Sequence, residues 1–259
     1  MPTIDSNGVW IRFEQYGEPT APTILLVHGF ASSANDNWVQ TGWVRALTKA
    51  GRRVVALDCR GHGQSDKPHD PAAYGHDRMA ADVEEVLRYA NARTLDVFGY
   101  SMGSFLTLRM LERKPGRVRS AILGGVGDVM LRARPNRPAI AAALEAADPS
   151  TVTDPAARAF RAFAEGRGND LLALAAIQRA ENSLPDPAAL GRLALPILVV
   201  AGAKDTLVGS AEKLAHALPG ARAEIVPDAD HLTAVTHPRM KEVVLDFLAQ
   251  VDATPKETH

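Results

Sequence analysis

The stretch Gly99-Tyr100-Ser101-Met102-Gly103 holds the residues of this chain best suited to chemistry. It has the Gly-x-Ser-x-Gly form in which a serine sits on a tight turn between a strand and a helix. An apolar run, Thr94 to Phe98, precedes it, and a helix-patterned segment, Ser104 to Lys114, follows. Small residues on either side let the chain turn sharply and leave the serine hydroxyl exposed. The helix N-terminus beneath it favours developing negative charge. With 20 Gly and 10 Ser in 259 residues, chance gives about 0.06 such matches per chain. The pentapeptide therefore needs a base, an orienting acid and an oxyanion site elsewhere in the chain.

A serine hydroxyl is a poor nucleophile at neutral pH and needs a base. Of eight histidines, His231 is the best placed, on the loop Pro227-Asp228-Ala229-Asp230-His231 after the last expected strand. His62, His69 and His76 fall in or just after the loop that follows the Val54–Leu57 run, and read as solvated or locally bonded side chains. The imidazole needs a carboxylate to fix its tautomer. Asp205, at the end of Val199 to Asp205, leads, with Asp128 as the alternative; Asp228 and Asp230 are too close in sequence to His231 to orient it easily. A tetrahedral intermediate needs two N–H donors. Met102, after the serine, supplies one, and Phe30, in the loop His28-Gly29-Phe30-Ala31 after a strand, supplies the other. His28 reads as support for that loop.

These residues need strands that end near one another. Gly8 to Tyr16 alternates as a half-buried strand, whereas Thr23–Val27 is a continuous apolar run of the kind buried on both faces. Similar runs are Arg53–Leu57, Leu95–Phe98, Val118–Leu123 and Pro196–Ala201, with a weaker one at Ala223–Val226. Helical patterns lie between and after them: Trp38–Ala50, His76–Ala90, Ser104–Lys114, Ser210–Leu218 and Pro238–Val251. Alternating strands and helices imply a mainly parallel sheet, with ligands at the carboxyl ends of the strands. Gly127 to Arg192 breaks the rhythm. It has no convincing strand and reads as three or four short helices that start near prolines or capping residues: Pro138–Ala147, Pro155–Glu165, Asn169–Ala180 and Pro187–Leu193. The expected organisation is a core of residues 1–126, a helical cap of 127–192 over the carboxyl edge, and the rest of the core at 193–259.

Bulk properties exclude several classes. A formal net charge of −1 points to neither nucleic acid nor an anionic membrane surface. Cys59 is the sole cysteine and reads as buried and inert, so no intrachain disulfide is possible. The N-terminus lacks the look of a secretory signal, and no window reaches the roughly 18 apolar residues of a membrane span. The expectation is a cytoplasmic protein. Thr254 to His259 reads as a polar tail. Arg132, Arg134 and Arg137, early in the expected cap, read as a solvated face, with an anionic substrate as the alternative. Arg60-Gly61-His62-Gly63 lacks the Lys-Ser/Thr ending of a phosphate loop and reads as a structural turn. Among the apolar cap residues, Leu131, Ile140, Leu144, Phe160, Phe163, Leu171, Leu172 and Ile177 read mostly as cap core, with one or two facing a substrate.

His28-Gly29-Phe30, Asp58 to Ser65, Gly99 to Gly103, Gly202-Ala203-Lys204-Asp205 and Asp230-His231 together resemble the α/β-hydrolase superfamily, in its chain order and across nearly the whole sequence. One departure is Ser104, where many members carry another glycine. The resemblance implies an α/β-hydrolase fold with a helical cap after the sixth strand. It implies a serine hydrolase of short- to medium-chain acyl esters or lactones, with Ser101, Asp205 and His231 as the triad and Phe30 and Met102 as the oxyanion hole. It implies no metal or organic cofactor, and a small-molecule ester as the partner. Carbon–carbon bond hydrolysis, perhydrolysis and non-catalytic ligand binding on the same fold remain alternatives. Leu232 stands where the carbon–carbon hydrolases often carry Trp, and a serine elbow weighs against the dehalogenases and epoxide hydrolases, which use aspartate.

Overall fold

The computed structural model describes residues 2–92, 94–113 and 116–254. The expected end of one helix at Lys114, and the tail beyond Thr254, lie outside the described residues. Among those described, eight strands form one sheet: β1 (Thr3–Asp5), β2 (Trp10–Tyr16), β3 (Thr23–Val27), β4 (Arg53–Leu57), β5 (Leu95–Tyr100), β6 (Val118–Gly124), β7 (Ile197–Gly202) and β8 (Ala221–Val226). Their spatial order is β1-β2-β4-β3-β5-β6-β7-β8. β2 runs antiparallel to both β1 and β4, and every other pairing is parallel.

The continuous apolar runs are strands because each buries both faces, and the two-residue period divides their side chains between two cores. Ile24, Leu26, Val54, Ala56, Phe98, Leu198 and Val200 face one side, packed with α1 (Trp43–Lys49) and α9 (Pro238–Ala253). Leu25, Val27, Val55, Leu57, Val97, Ile197 and Val199 face the other, with α2 (His76–Ala90), α3 (Met102–Arg113) and α8 (Ala211–His216). Two departures from the sequence pattern have local causes. The helix expected from Trp38 is two pieces, a π-helical turn at Asn35–Val39 and then α1, so that Trp38 and Trp43 both pack on Phe98, at ring-centroid distances of 4.9 and 5.0 Å. In β2 the expected alternation fails at Arg12, which is buried and paired with Glu14.

Between β6 and β7 the chain is helical: α4 (Arg137–Glu145), α5 (Pro155–Glu165), α6 (Leu171–Arg179) and α7 (Pro187–Leu190), with 3-10 turns at Asp128–Leu131 and Pro149–Thr151. Aspartates start three of the helices. Asp154, Asp170 and Asp186 accept from the N–H groups of Ala157, Ala173 and Ala188 at 2.7, 3.0 and 2.9 Å, and proline opens α5 and α7. Buried Arg161 of α5 donates to the carbonyls of Ala143 and Ala146 at 2.5 and 2.7 Å, tying α5 to the end of α4. Asn169 donates to the Ala31 carbonyl at 3.0 Å, which joins this segment to the loop after β3.

Candidate active site

Ser101 follows β5 with φ of 51°, in the left-handed region that disfavours L residues. The neighbouring glycines make that turn possible. A Cβ on Gly99 would lie 2.3 Å from the Gly103 carbonyl oxygen, and one on Gly103 would lie 2.0 Å from the Val27 carbonyl oxygen. The elbow is also fastened sideways. The Ser101 N–H donates to the Gly124 carbonyl of β6 at 2.8 Å. Ser104, buried, donates its hydroxyl to the carbonyls of Gly99 and Gly124 at 2.8 and 2.9 Å. A serine here therefore adds a side-chain link between the ends of β5 and β6 that glycine could not make.

Three strand ends converge on this turn. His231, after β8, has Nε2 2.9 Å from Ser101 Oγ and Nδ1 2.7 Å from Asp205 Oδ2. Asp205, after β7, is buried, and its Oδ1 accepts from the Leu207 N–H at 3.1 Å. Asp128 is elsewhere occupied, accepting from the Ser210 N–H at 2.8 Å and pairing with Arg132. Asp230 accepts from the N–H groups of Leu232 and Thr233 at 3.0 and 2.8 Å, which turns its carboxylate away from the imidazole of the next residue. Tyr100, whose place in this array nothing in the sequence signals, donates its hydroxyl to the His231 carbonyl at 2.6 Å and so holds the loop that carries the imidazole.

Two N–H groups beside Ser101 stand without an internal acceptor among the described residues. In the loop after β3, the Gly29 N–H goes to Asn37 Oδ1 at 3.0 Å and the Ala31 N–H to His62 Nε2 at 3.1 Å. The Phe30 N–H between them has no internal acceptor among the described residues, and neither has that of Met102, the first residue of α3. The left-handed residue of this loop is Ala31, with φ of 55°, and not Gly29, which instead lets the loop lie against Ser101: its added Cβ would sit 3.5 Å from Ser101 Cβ.

The supporting histidines are neutral. His28 Nε2 accepts from the Cys59 N–H at 3.0 Å while Nδ1 donates to the Gly29 carbonyl at 2.8 Å. His62 repeats the arrangement with Ala31 and the Arg60 carbonyl. Both rings are fully buried, so His62 is no solvated side chain. Burial lowers the pKa of each, that of His62 to about 3. Asp58 links the same two loops, accepting from the N–H groups of Ala34 and Gln64 at 2.8 Å each. Buried Arg60 pairs with Asp82, which makes the Arg60–Gly63 stretch a structural turn. Burial pushes the Cys59 thiol pKa up, in keeping with an inert side chain.

Ser101 and His231 open into a cavity of about 280 Å³. Ala156, Ala159, Phe160 and Phe163 of α5 form one wall, and Leu207, Leu232 and Val235 form another. Of the apolar residues expected in the helical segment, Phe160 and Phe163 reach this cavity, while Ile140, Leu144 and Ile177 are buried in the core. Among the described residues no group of three or more His, Cys, Asp or Glu side chains could hold a metal ion, and no helix is long and apolar enough to cross a membrane.

A family profile described as alpha/beta hydrolase fold matches residues 22–167, more than half of the sequence. The chain belongs to the α/β-hydrolase family. This α/β-hydrolase is 28% identical over 273 residues, covering 94% of this chain and 97% of its relative, to a Variovorax paradoxus (strain S110) protein provisionally described as the carbamate hydrolase RutD. A solved hydrolase from Pseudomonas aeruginosa PA01 superposes with a TM-score of 0.79 at 26% identity, over 95% of this chain and 97% of that one. Est816, described as an N-acyl homoserine lactone degrading enzyme, superposes with a TM-score of 0.75 at 26% identity, over 95% and 100%.

Proposed function

We propose that this α/β-hydrolase cleaves carboxylic esters or lactones through an acyl-enzyme on Ser101. The observation that carries the reading is the continuous hydrogen-bonded chain from Ser101 Oγ through His231 to Asp205, beside two N–H groups without acceptors among the described residues. Ser101 Oγ attacks the acyl carbon as His231 Nε2 takes its proton. Asp205 keeps the Nδ1–H tautomer and stabilises the imidazolium that forms. The N–H groups of Phe30 and Met102 receive the oxyanion. His231 then protonates the leaving alkoxide, and the alcohol departs. A water deprotonated by His231 attacks the acyl carbon, and collapse releases the acid and restores the Ser101 hydroxyl.

The helical segment at 127–192 acts in this reading as a cap that selects the acyl group. A cavity of about 280 Å³ lies at the small end of the range for small-molecule sites, which favours short- to medium-chain acids. The apolar residues of α5 on its wall suit an alkyl chain. The solved lactone-degrading relative is in keeping with an ester or lactone bond.

The test is p-nitrophenol release from p-nitrophenyl esters of acids with two to twelve carbons. Turnover is expected to peak at the shorter acids, and Ser101→Ala is expected to fold and lose at least about 10⁴-fold in kcat. Failure of the wild type to hydrolyse any of the esters, or retained activity in Ser101→Ala, would refute the reading.

A further inference from the structure

A second cavity begins one residue from the nucleophile. Phe30 and Met102 line it on one side; Arg134, Arg137, Gln178 and Asn182 line the other. About 30 Å³ in volume, it shares His76, Arg134, Arg137 and Asn182 with a larger space of about 210 Å³ that Phe105 and Arg132 help to line. Phe30 lines both this cavity and the one that holds Ser101 and His231, so the two lie side by side.

The polar groups of this second cavity are poorly matched to one another. Arg134 is half-buried and stacks its guanidinium 4.5 Å from the centre of the Phe105 ring. Among the described residues it has no hydrogen bond and no carboxylate partner. Arg137 donates through one Nη2 to the carbonyls of Ile177 and Ala180 at 2.7 and 2.9 Å, but its buried Nε has no partner. Gln178 Oε1 is likewise buried without a donor. The carboxylate of Glu112, at the outer end, is already taken by Arg109 and by the Asp186 N–H.

The local charge balance agrees. Burial, and then the charge of Arg137, depresses the Arg134 pKa to about 10. Burial first, followed by Arg134, Arg137 and Arg109, holds His76 down at about 3, so it adds no positive charge at neutral pH. A half-buried guanidinium without an anion has bonding capacity to spare, and a carboxylate presents the paired oxygens that its fork fits. Of the three arginines expected on a solvated face, only Arg132 is on one.

We infer that this cavity is a carboxylate subsite, in which Arg134, with Arg137 behind it, holds an anionic group carried by the ester at a distance from the scissile bond. The inference rests on the ester-hydrolase reading for the nature of the molecule. The carboxylate belongs either to the acid half, as in a mono-ester of a dicarboxylic acid, or to the leaving half, as in an acyl ester of a hydroxy acid. A neutral ester of the same shape leaves Arg134 uncompensated and reacts more slowly.

The experiment has a kinetic and a binding arm. Mono-aryl esters of glutaric and adipic acid, and acetyl esters of hydroxybenzoic acids, are each compared with a neutral, size-matched ester. The wild type is expected to prefer one charged series by about 10- to 100-fold in kcat/KM. Arg134→Gln is expected to bring that ratio near one, and Arg134→Lys to restore part of it. Separately, glutarate and adipate are titrated calorimetrically into the wild type and Arg134→Gln, each checked for its melting transition. Binding that Arg134→Gln abolishes supports the subsite, even if no ester is turned over, in which case the ester reading alone falls. Turnover of neutral esters with no preference for either charged series, or dicarboxylate binding unchanged in Arg134→Gln, overturns the subsite and leaves the ester reading standing.

Discussion

The two ends of β5 carry opposite kinds of polar chemistry. At the amino end, Asp96 is fully buried and every lone pair is in demand. It accepts from Arg52 at 2.8 Å, from Arg119 at 3.1 and 2.6 Å and from the Ser120 hydroxyl at 2.7 Å, and Asp252 pairs with both arginines in turn. Five residues on, at the carboxyl end, Ser101 stands in a disfavoured backbone conformation beside N–H groups that nothing among the described residues satisfies. The saturated end can only hold the sheet together. The unsaturated end has bonding capacity left for a substrate, because the groups around it have spent theirs on fixing its position.

Three substitutions probe this contrast. Asp205→Asn keeps the shape of the carboxyl end but offers His231 the wrong tautomer, and is expected to lower kcat for a p-nitrophenyl ester by about 10⁴-fold, some 5.5 kcal/mol of barrier, with little change in melting temperature. Steady-state kinetics beside a thermal melt check it; a loss under tenfold would remove Asp205 from the triad. At the other end, Asp96→Ala takes the buried carboxylate away from buried Arg52 and half-buried Arg119 and leaves both with Asp252 as their acidic partner. It is expected to cost about 3–5 kcal/mol of stability, a fall of roughly 10 °C in Tm, while kcat measured below the transition stays near that of the wild type. If kcat falls with stability instead, the ends of β5 do not have separate duties.

The smallest effect concerns the histidines that brace the loop after β3. In the unfolded chain a histidine binds its proton near pH 6.5, whereas burial holds His62 to about 3. Below pH 6.5 the unfolded state therefore takes up a proton that the native state refuses. Stability contributed by neutral His62 is whole above that pH and falls by up to about 1.4 kcal/mol per pH unit as the medium is acidified towards 3. His28 and His76, also lowered, add to the slope in the same direction. Chemical denaturation at pH 6.5, 5.5 and 4.5 is expected to show a steep decline in the wild type and a shallower one in His62→Gln. Parallel lines would mean that the His62 ring is charged in the folded state.

The fold was legible because the strands that build it are buried on both faces, and such strands write themselves as unbroken apolar runs. Thr23–Val27 and Arg53–Leu57 have the bounds that their side chains suggest. The edges were less so. β1 is three half-exposed residues with no pattern to betray them, and β8 begins at Ala221, earlier than its apolar part, because an edge strand tolerates polar side chains. The positions of Ser101, Asp205 and His231 after successive strands make their approach intelligible from sequence. Their supports are another matter. Tyr100 meets the His231 carbonyl across 131 residues, and Asp96 finds Arg52 44 residues away. No local pattern encodes such partners. Arg134 is misleading for the same reason: three arginines in six residues look like a wet surface until Phe105 of α3 and Gln178 of α6 are brought up beside one of them.

The Gly124 carbonyl receives both the Ser101 N–H and the Ser104 hydroxyl, and it ends β6. Three residues later, after Gly127, the helical segment departs. The anchor of Ser101 and the root of the helical segment are thus near neighbours, yet the anchor is a main-chain oxygen at the end of a sheet strand. Lengthening, shortening or reshuffling the helices beyond it leaves that oxygen where it is. Side-chain changes on α5 can therefore reshape the cavity beside Ser101 without touching the bond that seats it.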